Sequence, residues 1–230
     1  MRYISKISNM KNQQLLRQIT LNSVLIGLIA IFTFVPYIGY ITLGPISFTD
    51  IHIFVLIGAL LGGWQTGAIT GLAFGFMSLF KALSFPSTVD YLFVNPFISI
   101  LPRFLFGLIS GLIFDLLRRK LKPKAYIGVI YPLTGVLTFM HTILTLVCLY
   151  VFGVLDVFKI SSSLLGLDEI IKSLNEHYSN IWIFLGSFVA LGSVGEIVIS
   201  IILVPTVYLI IYNIRNGKNE KIEENNNSQN

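Results

Sequence analysis

Charge is scarce in this chain. Only 12% of its 230 residues are Asp, Glu, Lys or Arg, about half the share of a soluble domain. A single cysteine, Cys148, excludes an internal disulfide and any cysteine-rich metal cluster. No G-x-x-x-x-G-K-[ST] phosphate loop, H-E-x-x-H zinc helix or G-x-S-x-G nucleophile elbow occurs. The chain therefore has no means of hydrolysing ATP, no metal site or cofactor is expected, and a membrane enzyme would lack any recognisable nucleophile. Energy for active transport would have to come from an ion gradient or from a separate ATPase.

What the chain has is apolar length. Hydrophobic residues make up 54% of it and the mean hydropathy is +0.80. Runs near the ~20-residue spanning length recur from residue 19 to residue 212. The pattern predicts an all-α membrane protein: six transmembrane helices at about 19–37, 51–63, 65–83, 97–117, 126–153 and 181–212. The first run is followed by further membrane segments and no small-residue cleavage site, so it reads as a retained helix rather than a signal peptide. The 51–63 segment is short for a span, and "GGWQTG" joins it to the next.

Six crossings put both termini on one side. Arg2, Lys6, Lys11 and Arg17 precede the first helix, "RRKLKPK" (118–124) follows the fourth, and Arg215, Lys218 and Lys221 follow the sixth. That places 12 of the 16 Lys and Arg on one side, which the positive-inside rule makes cytoplasmic. This placement accounts for the net positive charge without nucleic acid. The expected organisation is a cytoplasmic segment over 1–18, a membrane domain over 19–213 and a disordered polar tail over 214–230. Of the outward stretches, "LLGLDEIIKSLNEHY" has Leu164, Leu167, Ile171 and Leu174 on one side, as an interfacial helix would. Tyr37, Tyr40, Phe48, Tyr91, Phe93 and Trp182 fit an aromatic belt near the outer edge.

The residue most in need of explanation is Arg103, in "NPFISILPRFLFGLISG" (95–111). At a bilayer centre an arginine costs roughly 3 kcal/mol even on lenient insertion scales. Asn95-Pro96 is a helix start, the asparagine as cap and the proline in the first turn. From there Arg103 lies roughly 12 Å into the membrane. Asn95, Ser99, Arg103, Gly107 and Gly111 recur every fourth residue, a polar and small face that belongs against protein or a water-filled cavity. Pro102 donates no backbone hydrogen bond, so a carbonyl one turn earlier is freed beside the arginine. Two readings follow: a fork for an anionic ligand entering from outside, or an ion pair with Glu196 in "GSVGEIVIS". His52 and Asp50 begin the second segment, and His141 sits mid-segment beside Thr138, Thr142 and Thr145. Gly67, Gly71 and Gly75 repeat at the spacing that lets membrane helices approach closely, as do Ser23 and Gly27 on the first helix.

"GPISFTDIHIFVLIGALLGG", "TGAITGLAFGFMSL" and "FVNPFISILPRFLFGLISG" resemble the substrate-binding S components of energy-coupling factor (ECF) vitamin transporters. The likeness runs from about Tyr37 to Gly111, and within the family it is nearest the pantothenate-type members. Their second helix carries a His-Ile-Pro-Val stretch; here "HIFV" (52–55) has Phe54 at the proline position. The resemblance implies a bacterial plasma-membrane subunit that captures a vitamin from outside. It also implies a membrane scaffold (T) subunit and two ATPase subunits as partners, with docking through a small-residue face of the first helix, here Ser23 and Gly27. For pantothenate, with one carboxylate, hydroxyls and an amide, it suggests Arg103 as the cation and Asn95, His52, Thr49 and Ser99 as neutral partners. Another vitamin, or an autonomous carrier with Glu196 or His141 moving a proton, are the alternatives.

Overall fold

A computed structural model of the chain describes residues 2–35, 39–43, 46–84, 93–154 and 193–227. The expected interfacial helix around Leu164–Leu174 lies outside these residues, as do Tyr37, Tyr91 and Trp182. The elements in chain order are α1 (Arg2–Phe34), β1 (Tyr40–Leu43), β2 (Ile46–Thr49), α2 (His52–Ser84), α3 (Pro96–Ser99), α4 (Leu101–Lys120), α5 (Pro123–Val154) and α6 (Ser193–Asn227).

Among the described residues, five helices are long and apolar enough to cross a membrane: Asn12–Phe34, His52–Ser84, Pro96–Lys120, Pro123–Leu149 and Ser193–Ile214. Helices satisfy their own backbone groups, which is why an apolar chain takes this form in lipid. Large side chains such as Val136, Phe139, Ile143 and Val147 of α5 line an outward stripe, as hydrocarbon requires. One addition to the all-α expectation is a small antiparallel hairpin. β1 pairs with β2 from Tyr40 opposite Thr49 to Leu43 opposite Ile46, in a stretch that carried only a loop signal.

α2 is interrupted at Gly63, whose φ of 76° and ψ of −163° suit glycine alone. The two limbs fold back on each other. A Cβ at Gly58 would stand 3.0 Å from Thr70 Oγ1, and one at Gly67 would stand 3.0 Å from the Ala59 Cβ. Residues as far apart as 58 and 70 would be separated by about 18 Å along an unbroken helix. The break matches the "GGWQTG" joint read from the sequence. It strands backbone groups at two helix ends, and α4 satisfies them. Asp115 Oδ2 accepts the Trp64 N–H at 3.0 Å, and Arg118 donates to the Leu60 carbonyl. The two side chains also approach each other at 4.0 Å, so one acid–base pair closes the turn.

The second limb of α2 packs along α4 with almost no side chain between them. A Cβ at Gly67 would strike the Gly107 carbonyl, one at Gly71 the Arg103 carbonyl, and one at Gly75 would lie 2.7 Å from the Ile100 Cα. Both glycine stripes seen in the sequence thus face each other, and close van der Waals approach replaces the hydrophobic drive that lipid removes. Around this seam Phe74, Phe106, Phe114, Leu56 and Ile29 are fully buried. α1 lies at the edge: Ser23 and Gly27 are exposed, and a Cβ at Gly27 would meet nothing within 4 Å.

Candidate functional site

The site grows from the start of α3. Asn95 caps that helix by accepting the Phe97 N–H at 3.0 Å, and Pro96 occupies its first turn. Because Pro102 has no N–H, the Ile98 carbonyl lacks its helical donor. Arg103 Nη1 takes that carbonyl at 2.6 Å. This is the freed acceptor the sequence placed beside the arginine. The guanidinium also stands 4.7 Å from the Phe93 ring centre and 5.6 Å from that of Phe74. Arg103 is buried at 6% exposure, a cation oriented by a carbonyl and two rings.

Glu196 stands on α6 and joins the cluster from the other side. Its Oε1 accepts the backbone N–H of Thr49 at 2.8 Å, tying the end of the hairpin to α6. The alternative of a direct Arg103–Glu196 ion pair is not formed among the described residues, although the arginine's charge acts on the carboxylate. Asp50, at the mouth of the cluster and outside the spans, is half-buried, and burial pushes its carboxyl above the usual range.

His52 is fully buried with both ring nitrogens engaged. Nδ1 lies 2.6 Å from the Thr49 carbonyl, which can only accept, so Nδ1 carries a proton. Nε2 lies 2.9 Å from Ser200 Oγ. The Ser200 hydroxyl also lies 2.8 Å from the Glu196 carbonyl, to which it donates, so its one proton is shared between that carbonyl and the neutral ring. Ser99 is buried and gives its hydroxyl to the Phe93 carbonyl. Among the neutral partners expected from sequence, Thr49 therefore contributes backbone groups, while His52 and Ser99 spend their polar atoms within the chain. Asn95 differs: its Nδ2 is buried with no hydrogen-bond partner among the described residues.

Sequence reasoning left His141 undecided, and its position is now clear. The ring stacks on His52 at 5.5 Å between centres, tilted 14°, and touches Phe106 at 4.8 Å and Phe74 at 6.0 Å. Neither of its nitrogens has a hydrogen-bond partner among the described residues. The threonines that looked like its companions bond their own helix: Thr138 to the Thr134 carbonyl, Thr145 to the carbonyl of His141 itself. Leaving such a group unsatisfied costs about 1–3 kcal/mol.

His52, His141 and Glu196 offer ligand atoms within 4.8 Å of one another, a spacing that could hold a metal ion. The chemistry of the donor set disfavours it. His52 would have to give up Ser200 or Thr49, and a dication would sit near Arg103 with one carboxylate for balance. Two like unit charges 6 Å apart repel by roughly 3 kcal/mol at an effective dielectric of 20, and a divalent ion doubles that. An anion is attracted by Arg103, against repulsion from the Glu196 carboxylate in the same cluster.

The chain is thus a polytopic helical membrane protein with a buried, oriented arginine close to neutral polar groups of Asn95 and His141 that lack partners among the described residues. Residues 17–208 match the model of the family described as ECF transporter, substrate-specific component, and the chain belongs to that family. It is a family of transport components, not of enzymes. Two similar proteins are the pantothenate transporter PanT of Leuconostoc mesenteroides subsp. mesenteroides and the pantothenic acid transporter PanT of Lactococcus lactis subsp. cremoris. The first is 34% identical over 104 residues, covering 43% of this chain and 51% of that protein, about half its length. The second is 25% identical over 190 residues, covering 75% of this chain and 82% of that protein.

Proposed function

We propose that the chain is the pantothenate-binding subunit of an ATP-driven ECF-type uptake system in a bacterial plasma membrane. The observation that carries the reading is Arg103: a buried cation aimed by the Ile98 carbonyl and stacked on Phe93, beside an amide nitrogen of Asn95 that lacks a partner. Pantothenate offers one carboxylate for the arginine and neutral polar groups for the rest, and two relatives carry that vitamin in their names. His52, Thr49 and Ser99 frame the site, holding the start of α2 and the turn before α4 in place. The limbs of α2 on either side of Gly63 count as two passages, giving six crossings with both termini cytoplasmic. The basic clusters at 2–17, 118–124 and 215–221 support that orientation.

Docking on a membrane scaffold with two ATPases would use the face of α1 at Ser23 and Gly27, both exposed among the described residues. Titrating the purified protein in detergent with pantothenate tests the first half of the reading; saturable binding at micromolar concentration or tighter is expected, and its absence overturns it. Uptake in liposomes tests the second half. Transport should need the scaffold and ATPases, and proton-driven uptake by this chain alone would make it an autonomous carrier instead.

A further inference from the structure

The arginine and the asparagine are not the whole polar complement of the site. His141 lies on α5, opposite the α3–α4 turn that carries them, and its ring is enclosed by His52, Phe106 and Phe74. It is 6% exposed, and both nitrogens are without a partner although each is a strong hydrogen-bonding atom. A residue needed only for shape at this place would be phenylalanine or leucine, which carry no polar penalty. Among the described residues this imidazole pairs with no neighbour, and a bound ligand is a partner that would satisfy it. His52 makes the contrast: the same ring type, stacked on it, has both nitrogens within hydrogen-bond distance of groups of the chain.

The possible partners are limited by charge. Arg103 is near enough for its charge to act on His141, and a Glu196 oxygen lies within 4.8 Å of it, so the ring stands between opposite charges, where a neutral partner fits. A neutral imidazole presents one donor and one acceptor, on opposite sides of the ring. The group that satisfies both is one with a hydroxyl to give and an oxygen to receive. We propose that His141 reads the neutral polar part of the ligand, its hydroxyl and amide oxygens, while Arg103 takes the carboxylate. The ligand class is a hydroxylated amide bearing one carboxylate, an inference that rests on the pantothenate reading and assigns it a residue. Specificity follows from the same geometry. A ligand lacking the hydroxyl leaves the imidazole as unsatisfied as it is without ligand, so such a molecule is rejected by loss of pairing rather than by size.

The test compares the full chain with His141→Phe, which keeps the ring and removes the nitrogens, and with His141→Asn, which keeps a donor and an acceptor. The probes are pantothenate, its analogue with both hydroxyls replaced by hydrogen, and its carboxamide. Each titration is paired with the melting temperature of the ligand-free protein. We expect ligand-free His141→Phe to melt at or above the parent, because nothing in the chain pairs with the nitrogens. Pantothenate should bind it at least 30-fold more weakly. The parent should prefer pantothenate over the deoxy analogue by at least 10-fold, and His141→Phe by less than 3-fold, with preference over the carboxamide retained and His141→Asn intermediate. Unchanged affinity in His141→Phe overturns the assignment and leaves the pantothenate reading standing. A large fall in ligand-free melting temperature, with both preferences intact, makes His141 structural and overturns it as well. If the parent itself fails to bind pantothenate, the functional reading fails and this inference falls with it.

Discussion

Gly71→Ala is the smallest change that should reach the site through the fold. The added methyl would overlap the carbonyl oxygen of Arg103, with the carbonyl carbon at 3.2 Å and the Gly107 Cα at 3.3 Å. These are backbone atoms, so no side chain can rotate aside. Unstrained carbon contacts lie near 3.5–4.0 Å, and α4 must back away by about 1 Å to restore them. That movement also opens the neighbouring contacts of Gly67 on Gly107 and Gly75 on Ile100. Overpacking of this kind costs about 1–3 kcal/mol, and alanine's better helix propensity returns at most about 1. The net loss should be about 1–2 kcal/mol, with Gly71→Val worse. Arg103 rides on the displaced turn, so its 2.6 Å bond to Ile98 and its place over Phe93 shift with it. Pantothenate affinity should fall by roughly 10-fold, more than stability alone would explain. Thermal unfolding in detergent and ligand titration on the same preparation measure both, with Gly128→Ala as control, because a Cβ there meets nothing within 4 Å. If Gly71→Ala and Gly128→Ala behave alike, the seam is not as tight as the geometry requires and the reasoning fails.

Other changes probe separate parts. Arg103→Ala should weaken pantothenate binding by about 2–5 kcal/mol, the usual cost of removing one partner from a buried charged pair. The carboxamide analogue should lose far less; equal losses would remove the carboxylate from the arginine. Asp115→Ala should destabilise the protein by about 1–3 kcal/mol, because the Trp64 N–H loses its acceptor and the Gly63 turn its clamp. Unfolding midpoints with and without Arg118→Leu would show whether the two act as one unit. Gly27→Leu should leave binding by the isolated subunit intact while abolishing co-purification with the scaffold, since the side chain projects from a bare face. Parallel loss of binding and docking would place Gly27 inside the fold.

The parts of this fold legible in sequence are those written locally. The glycine stripes at 67–75 and 107–111 are visible as spacing, and they meet as spacing alone suggests. Asn95 as cap and the carbonyl freed by Pro102 follow from covalent chemistry that no tertiary contact alters. Contacts between distant residues were not legible. Thr49 to Glu196 spans 147 residues and His52 to Ser200 spans 148. Neither pairing has a sequence signature, so Glu196 looked like a partner for Arg103. Asp115 and Arg118 were hidden in a charged run that the positive-inside rule already explained. His141 stayed undecided because hydroxyl direction decides it, and the threonines around it bond backward along their own helix. The hairpin was hidden by its shortness, four residues a strand.

Those long-range pairings also set an order of events during synthesis. Residues 49 and 52 leave the ribosome early, whereas Glu196 and Ser200 emerge close to the end. Until α6 enters the bilayer, the Thr49 amide lacks its carboxylate and His52 Nε2 its serine, however complete the α2–α4 seam has become. The scaffold of the bundle can thus assemble while translation continues, but the binding site is completed last. A nascent chain arrested after α5 would lack both the carboxylate for Thr49 and the serine for His52, contacts that form only once α6 has inserted.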